Sequence, residues 1–97
     1  MSLFIEISVE AEYDLEDIFD YTEINHSIDQ AFQYVSSFDE VFDLFIDNPR
    51  MGKQRLEIRR GLFSFVKDSH VIFYRILSDR FRIVRILHAS RDLHNLL

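Results

Sequence analysis

Two segments in the second half of the chain, HVIFYRIL (residues 70–77) and FRIVRILH (residues 81–88), leave little choice of architecture. Both are dominated by β-branched and aromatic residues, and only SDR separates them, so they are expected to pair as an antiparallel hairpin. Neither is polar enough to stand half in water along its length. One face of the hairpin therefore needs cover from helices, and part of the other from the C-terminal tail.

The first half supplies the helices. LFIEI (residues 3–7) reads as a short strand, and Ser8 then stands as the N-cap of a helix starting near Val9, with acids in the first turn that suit the positive end of the helix dipole. Ala11, Leu15, Ile18, Phe19 and Thr22 recur three or four apart, with Glu12, Glu16, Asp17, Asp20 and Glu23 on the opposite side. NHS at 25–27 breaks the pattern. Ser27 and Gln30 have the spacing of a capping box, and Ala31, Val35, Phe38, Phe42 and Phe45 carry a second helix as far as Asn48–Pro49. Further strands are expected at about 56–60 and 62–67, punctuated by Gly61 and KDS. The fold class is α+β over a single domain, residues 1–97: an N-terminal strand and an α-helical hairpin packed on an antiparallel β-sheet.

Charge narrows the function. Met1 to Pro49 holds thirteen Asp and Glu with no Lys or Arg, and Arg50 to Leu97 holds eleven Lys and Arg with four acids, so −13 and +7 make up the net −6. A protein that grips a polyanion gains by neutralising phosphates with a basic excess, and this acidic half would repel one, so no direct sequence-specific nucleic-acid binding is expected. The absence of cysteine excludes disulfides, thiol catalysis and a thiolate zinc site. With no apolar run near the ~20 residues of a membrane span and no basic-then-apolar start, the expected location is the cytoplasm, without a membrane partner.

Little in the sequence points to catalysis. His26, His70, His88 and His94 show no metal-ligand spacing, Gly52 and Gly61 form no phosphate loop, and Ser90 beside His88 and Asp92 lacks the sharp turn a nucleophile needs, so neither metal nor cofactor is expected. The arginines remain: Arg59, Arg60, Arg75, Arg82, Arg85 and Arg91. Strict alternation would put Arg82, Val84, Ile86 and His88 on one face and Ile83, Arg85 and Leu87 on the other, so that Arg82 and Arg85 could not share a site. Arg85, among aliphatic neighbours, would need a carboxylate partner, for which Asp92 or a C-terminal carboxylate is available. Arg85 as a structural ion pair and Arg85 as a target contact both remain open, as do a strand-closing and a functional role for His88.

SVEAEYDLEDIFDY (residues 8–21), NPRMG (48–52), RRG (59–61), HVIFYRI (70–76) and RIVRILHASRD (82–92), in that order and spacing, resemble the ParE branch of the RelE/ParE toxin superfamily, the toxic halves of bacterial type II toxin–antitoxin modules that act as plasmid stabilisation systems. The resemblance covers nearly the whole chain and implies the same fold. RelE-like members are ribosome-dependent mRNA endoribonucleases that use strand lysines, a strand arginine, an arginine after the last strand and a terminal tyrosine. By ungapped matching this chain has Leu62 and Ser64 at the lysines, Val71 at the strand arginine and Leu97 at the tyrosine, and retains only Arg91. ParE-like members are not enzymes but DNA gyrase inhibitors. The resemblance therefore implies a gyrase-directed toxin neutralised by a cognate ParD-like antitoxin, with Arg85, His88, Arg91 and Asp92 as target-binding candidates. The nuclease and a non-toxic antitoxin-binding relative are the alternatives.

Overall fold

A computed structural model describes residues 3–91 and 93–97. In chain order the elements are β1 (Phe4–Ile7), α1 (Val9–Asn25), α2 (Ile28–Asp47), β2 (Lys53–Gln54), β3 (Leu62–Lys67), β4 (His70–Ile76), β5 (Arg80–His88) and α3 (Leu93–Leu96). The strands form one sheet in the order β1-β5-β4-β3-β2, antiparallel throughout except for the parallel pairing of β1 with β5. No described helix is long and apolar enough to cross a membrane.

Both helices start where expected. Ser8 Oγ accepts from the Ala11 N–H at 3.0 Å and donates to the Val84 carbonyl at 2.8 Å, so one hydroxyl caps α1 and fastens it to β5. Ser27 Oγ accepts from the Gln30 N–H at 3.1 Å, and Phe19 meets Phe32 edge-on at 5.0 Å across the helical pair. The periodic residues Ala11, Ile18, Phe38, Phe42 and Phe45 bury against Phe63, Ile72, Tyr74, Phe81, Ile83 and Ile86 of the sheet. On the sheet's other face Leu62, Val71, Phe73 and Leu87 form a second cluster covered by Ile58, Val84, Leu93, Leu96 and Leu97. The expected two-sided cover, helices below and tail above, is present.

Segment 56–60 is not a strand. Ile58 and Arg59 both donate their N–H groups to the Arg55 carbonyl at 3.0 Å, which winds the segment into turns, and the partner of β3 is the shorter β2. Alternation in LEIRR looked strand-like, but Ile58 is drawn onto the second core and Gly61, at φ +80°, redirects the chain into β3. The loop before β2 is pinned from below: the fully buried Tyr74 donates to the Pro49 carbonyl at 3.2 Å and accepts from the Gly52 N–H at 3.0 Å. A Cβ on Gly52 would stand 2.7 Å from the Ser64 carbonyl oxygen, so only glycine lets this loop approach the sheet.

The β4–β5 register breaks once. Phe73 faces Arg85 while its neighbour Tyr74 faces Ile83, leaving Val84 as an extra residue in β5. Side-chain parity reverses there: Phe81 and Ile83 point to the helices, and so does Ile86, whereas Val84 and Leu87 join the second cluster. The expected segregation of Arg82 from Arg85 therefore fails. Strict alternation cannot carry through a bulge, and both side chains end on the wall of one recess.

Candidate target-binding groove

β1 ends opposite Ile83, so the outer edge of β5 beyond that point needs other partners. Helix α1 provides them. Ser8 takes the Val84 carbonyl, and Asp14, nearly two turns further along, accepts from the Ile86 N–H at 2.9 Å. The same carboxylate receives Arg85 in a fork, Nε at 2.8 Å and Nη2 at 2.9 Å, while Arg85 Nη1 reaches the Leu96 carbonyl at 3.3 Å. The ionic hydrogen bonds to Asp14 hold the Arg85 guanidinium above its usual pKa. Arg85 does find a carboxylate, and among the described residues it is Asp14 of α1, an acid far away in sequence; the expected partner Asp92 lies outside the described residues. Asp14 falls on the buried side of α1, between Ala11 and Ile18, where only a paired acid is tolerated.

From this ion pair a cleft of roughly 920 Å³ opens between the helical pair and the ends of β4 and β5. His70 begins β4 and His88 ends β5; the two are directly paired, their rings perpendicular with centroids 5.4 Å apart. Tyr34 from α2 stands 2.8 Å from His70 Nδ1, and Lys67 Nζ lies 4.6 Å from the Tyr34 ring centroid. Burial and the charge of Asp68 push the Tyr34 hydroxyl upward in pKa. Burial, with His88 and Lys67 nearby, outweighs Asp68 and holds His70 below 6.5. The Ser90 backbone N–H donates to His88 Nδ1 at 3.1 Å with its hydroxyl 2.7 Å away, which makes Nδ1 the acceptor and puts the proton of neutral His88 on Nε2.

This cluster makes a pH prediction. Because His70 titrates lower in the folded chain, the unfolded chain takes up the proton first, so its contribution to stability is complete above about pH 6.5 and is lost as pH falls from there through the folded value. Urea denaturation from pH 8 to pH 5 should show a decline in midpoint that is shallower in His70→Gln. Identical slopes for the two proteins would refute it.

Of the four target-binding candidates, three border this cleft. Arg85 forms its floor and is committed to Asp14; His88 is exposed at the end of β5; Arg91 is exposed at the rim with no acidic partner among the described residues. Asp92 lies outside the described residues. Tyr34, His70 and Asp14 were not among the candidates. Asp14 was legible from its place on the apolar stripe, and the His70–His88 pairing from a hairpin centred on SDR. Among the described residues no group of three His, Asp or Glu side chains is placed to hold a metal.

The positions matched to the nuclease set lie on the opposite face. Leu62 and Val71 are 1% and 4% exposed beneath the C-terminal segment, Leu97 packs over that cluster, and Ser64 is buried with its hydroxyl on Arg55. At those positions the aliphatic side chains and the bonded Ser64 hydroxyl supply neither a general base nor a cation for phosphoryl chemistry.

Residues 5–93 match the family model described as the ParE toxin of the type II toxin–antitoxin system parDE. The chain is 33% identical over 86 residues to the toxin ParE1 of Caulobacter vibrioides, covering 89% of this chain and 88% of that protein. It is 36% identical over 87 residues to a toxin ParE1 of Mycobacterium tuberculosis, covering 89% of both. Its fold is similar to a chain of the chromosomal ParDE toxin–antitoxin system from P. aeruginosa (TM-score 0.78, 17% identity, 90% of this chain and 96% of that one). It is also similar to a chain of the RelBE2 toxin–antitoxin complex from Mycobacterium tuberculosis (TM-score 0.66, 21% identity, 91% and 99%).

Proposed function

The chain belongs to the ParE toxin family of type II toxin–antitoxin systems, and from that premise we propose that it inhibits DNA gyrase by binding, without catalysis of its own, and is silenced by a cognate antitoxin. The observation that carries this reading is the aliphatic, tail-covered surface at Leu62, Val71 and Leu97, where a ribosome-dependent nuclease of the same fold would need ionisable groups. The net charge of −6 gives RNA little long-range attraction and agrees with a protein target.

Target contact is assigned to the end of β5 and the segment after it. His88 and Arg91 offer an imidazole donor and an exposed guanidinium at the open side of the cleft, Arg85 holds the strand end in place, and Asp92 follows Arg91 directly in sequence. The antitoxin is assigned to the helical pair, which exposes Tyr21, Ile24, Ile28 and Phe32 among acids. A tail with leucines for the apolar residues and Lys or Arg for the acids would suit that surface. A protein with this target works in the cytoplasm.

Purified protein added to gyrase and relaxed plasmid should block supercoiling, and added to a translating extract should leave mRNA intact. The His88→Ala/Arg91→Ala double variant, which keeps the core, should lose inhibition and still bind antitoxin. Codon-specific mRNA cleavage that disappears in His88→Ala would replace this reading with the nuclease one.

A further inference from the structure

We propose that a recess of about 350 Å³ on the tail side of the sheet, which meets the groove at Arg85, binds a small phosphate-bearing molecule. Four guanidinium groups line it: Arg59 from the turn before β3, Arg75 from β4, and Arg82 and Arg85 from β5, with Glu10 as the one acidic side chain on its wall among the described residues. Their convergence depends on the extra residue Val84, which rotates Arg85 round to the side that Arg82 already occupies.

Internal side-chain acids pair with two of the four cations and leave the other two. Asp14 takes Arg85, and Glu6 takes Arg82 while also lying 3.3 Å from Arg80. Arg59 Nη2 donates to the main-chain oxygen of Leu97, the last residue of the chain, at 2.6 Å, and Arg75 has no acidic partner among the described residues. Arg75 is moreover paired directly across the strands with Arg82, a juxtaposition of like charges that destabilises a sheet unless something neutralises it. The Arg75 guanidinium lies over Gly61, its Nη2 3.7 Å from where an added Cβ would stand, an ordinary van der Waals distance, so the glycine is required there by its φ of +80°.

The cations reach the recess from a turn and two strands. A planar monocarboxylate is held by one forked arginine, whereas a tetrahedral, multiply charged oxyanion accepts from several at once. Ser8, the N-cap of α1, lies on the wall beside Glu10. Val84, Leu96 and Leu97 give the recess an apolar side on which the rest of an ester could lie.

The test is calorimetric titration of the whole protein with inorganic pyrophosphate and, separately, glycerol 3-phosphate, against potassium chloride at equal ionic strength. Saturable binding by either is expected, weakened on the order of tenfold in Arg75→Gln and unchanged in Arg50→Gln, a surface control outside the recess. Tighter binding of pyrophosphate would assign a free polyphosphate as the ligand, and tighter binding of the ester a phosphomonoester. Should circular dichroism show Arg75→Gln misfolded, the exposed Arg59→Gln carries the same expectation. Heats no larger than those of potassium chloride, or variant affinities within twofold of wild type, would overturn the proposal.

Discussion

Asp14→Ala is expected to lower folding stability by about 3–5 kcal/mol, because it strands two partly or fully buried groups at once. The side chain of Asp14 is 10% exposed and that of Arg85 24%, so the abandoned guanidinium would keep only partial access to water. The Ile86 N–H, on an edge that no strand covers, would lose its acceptor as well. Arg85→Ala leaves the carboxylate bonded to Ile86 and should therefore cost less, about 2–4 kcal/mol. The double variant should cost clearly less than the sum, since the second change removes a charge already without its partner. Urea denaturation of the three variants decides the matter. Additive losses, or an Asp14→Ala midpoint equal to wild type, would mean that water replaces the pair at little expense and that the edge of β5 is held by packing alone.

Removing residues 89–97 is the second large effect. The segment carries Leu93, Leu96 and Leu97 onto Leu62, Val71, Phe73 and Leu87, and re-exposing that partly buried surface should cost about 3 kcal/mol. It also removes Arg91, so gyrase inhibition should vanish while the helical surface assigned to the antitoxin stays in place. The two losses separate by comparison: Leu96→Ser should lower stability and retain inhibition at low temperature, whereas His88→Ala/Arg91→Ala should do the reverse. If Leu96→Ser abolished inhibition in a fully folded protein, the leucines themselves would be the contact surface.

The elements were legible where a single rule governs them. Ser8 and Ser27 announced both helix starts, and the three-and-four spacing from Ala31 to Phe45 identified the buried face of α2, because capping and helical periodicity are local. Tail cover was legible too, since HVIFYRIL and FRIVRILH are too apolar to leave one face bare. What escaped depends on contacts between distant residues. The LEIRR segment alternates like a strand, but its conformation is set by Ile58 finding the second core. The position of Val84 as an extra residue is fixed only when β4 is laid beside β5, and with it changed the facing of every side chain to His88. The partner of Arg85 was sought nearby in sequence because neither the β1–β5 pairing nor the run of α1 along that edge is written locally.

The parallel pairing of β1 with β5 also dictates a timetable for folding. An antiparallel hairpin can close as soon as its second strand exists, but β1 waits for a strand 76 positions away, and Glu6–Arg82, Ser8–Val84 and Asp14–Arg85 wait with it. Until β5 leaves the ribosome, the nascent chain can form its helices and the β3–β4 hairpin, but neither the cover on the edge of β5 nor the groove. Contacts this distant in sequence pass through a high loop-closure barrier, so they should be among the last to form and the first to open. A protease or binding partner acting during synthesis would meet an acidic helical pair with its apolar face still bare, well before it met anything able to engage a target.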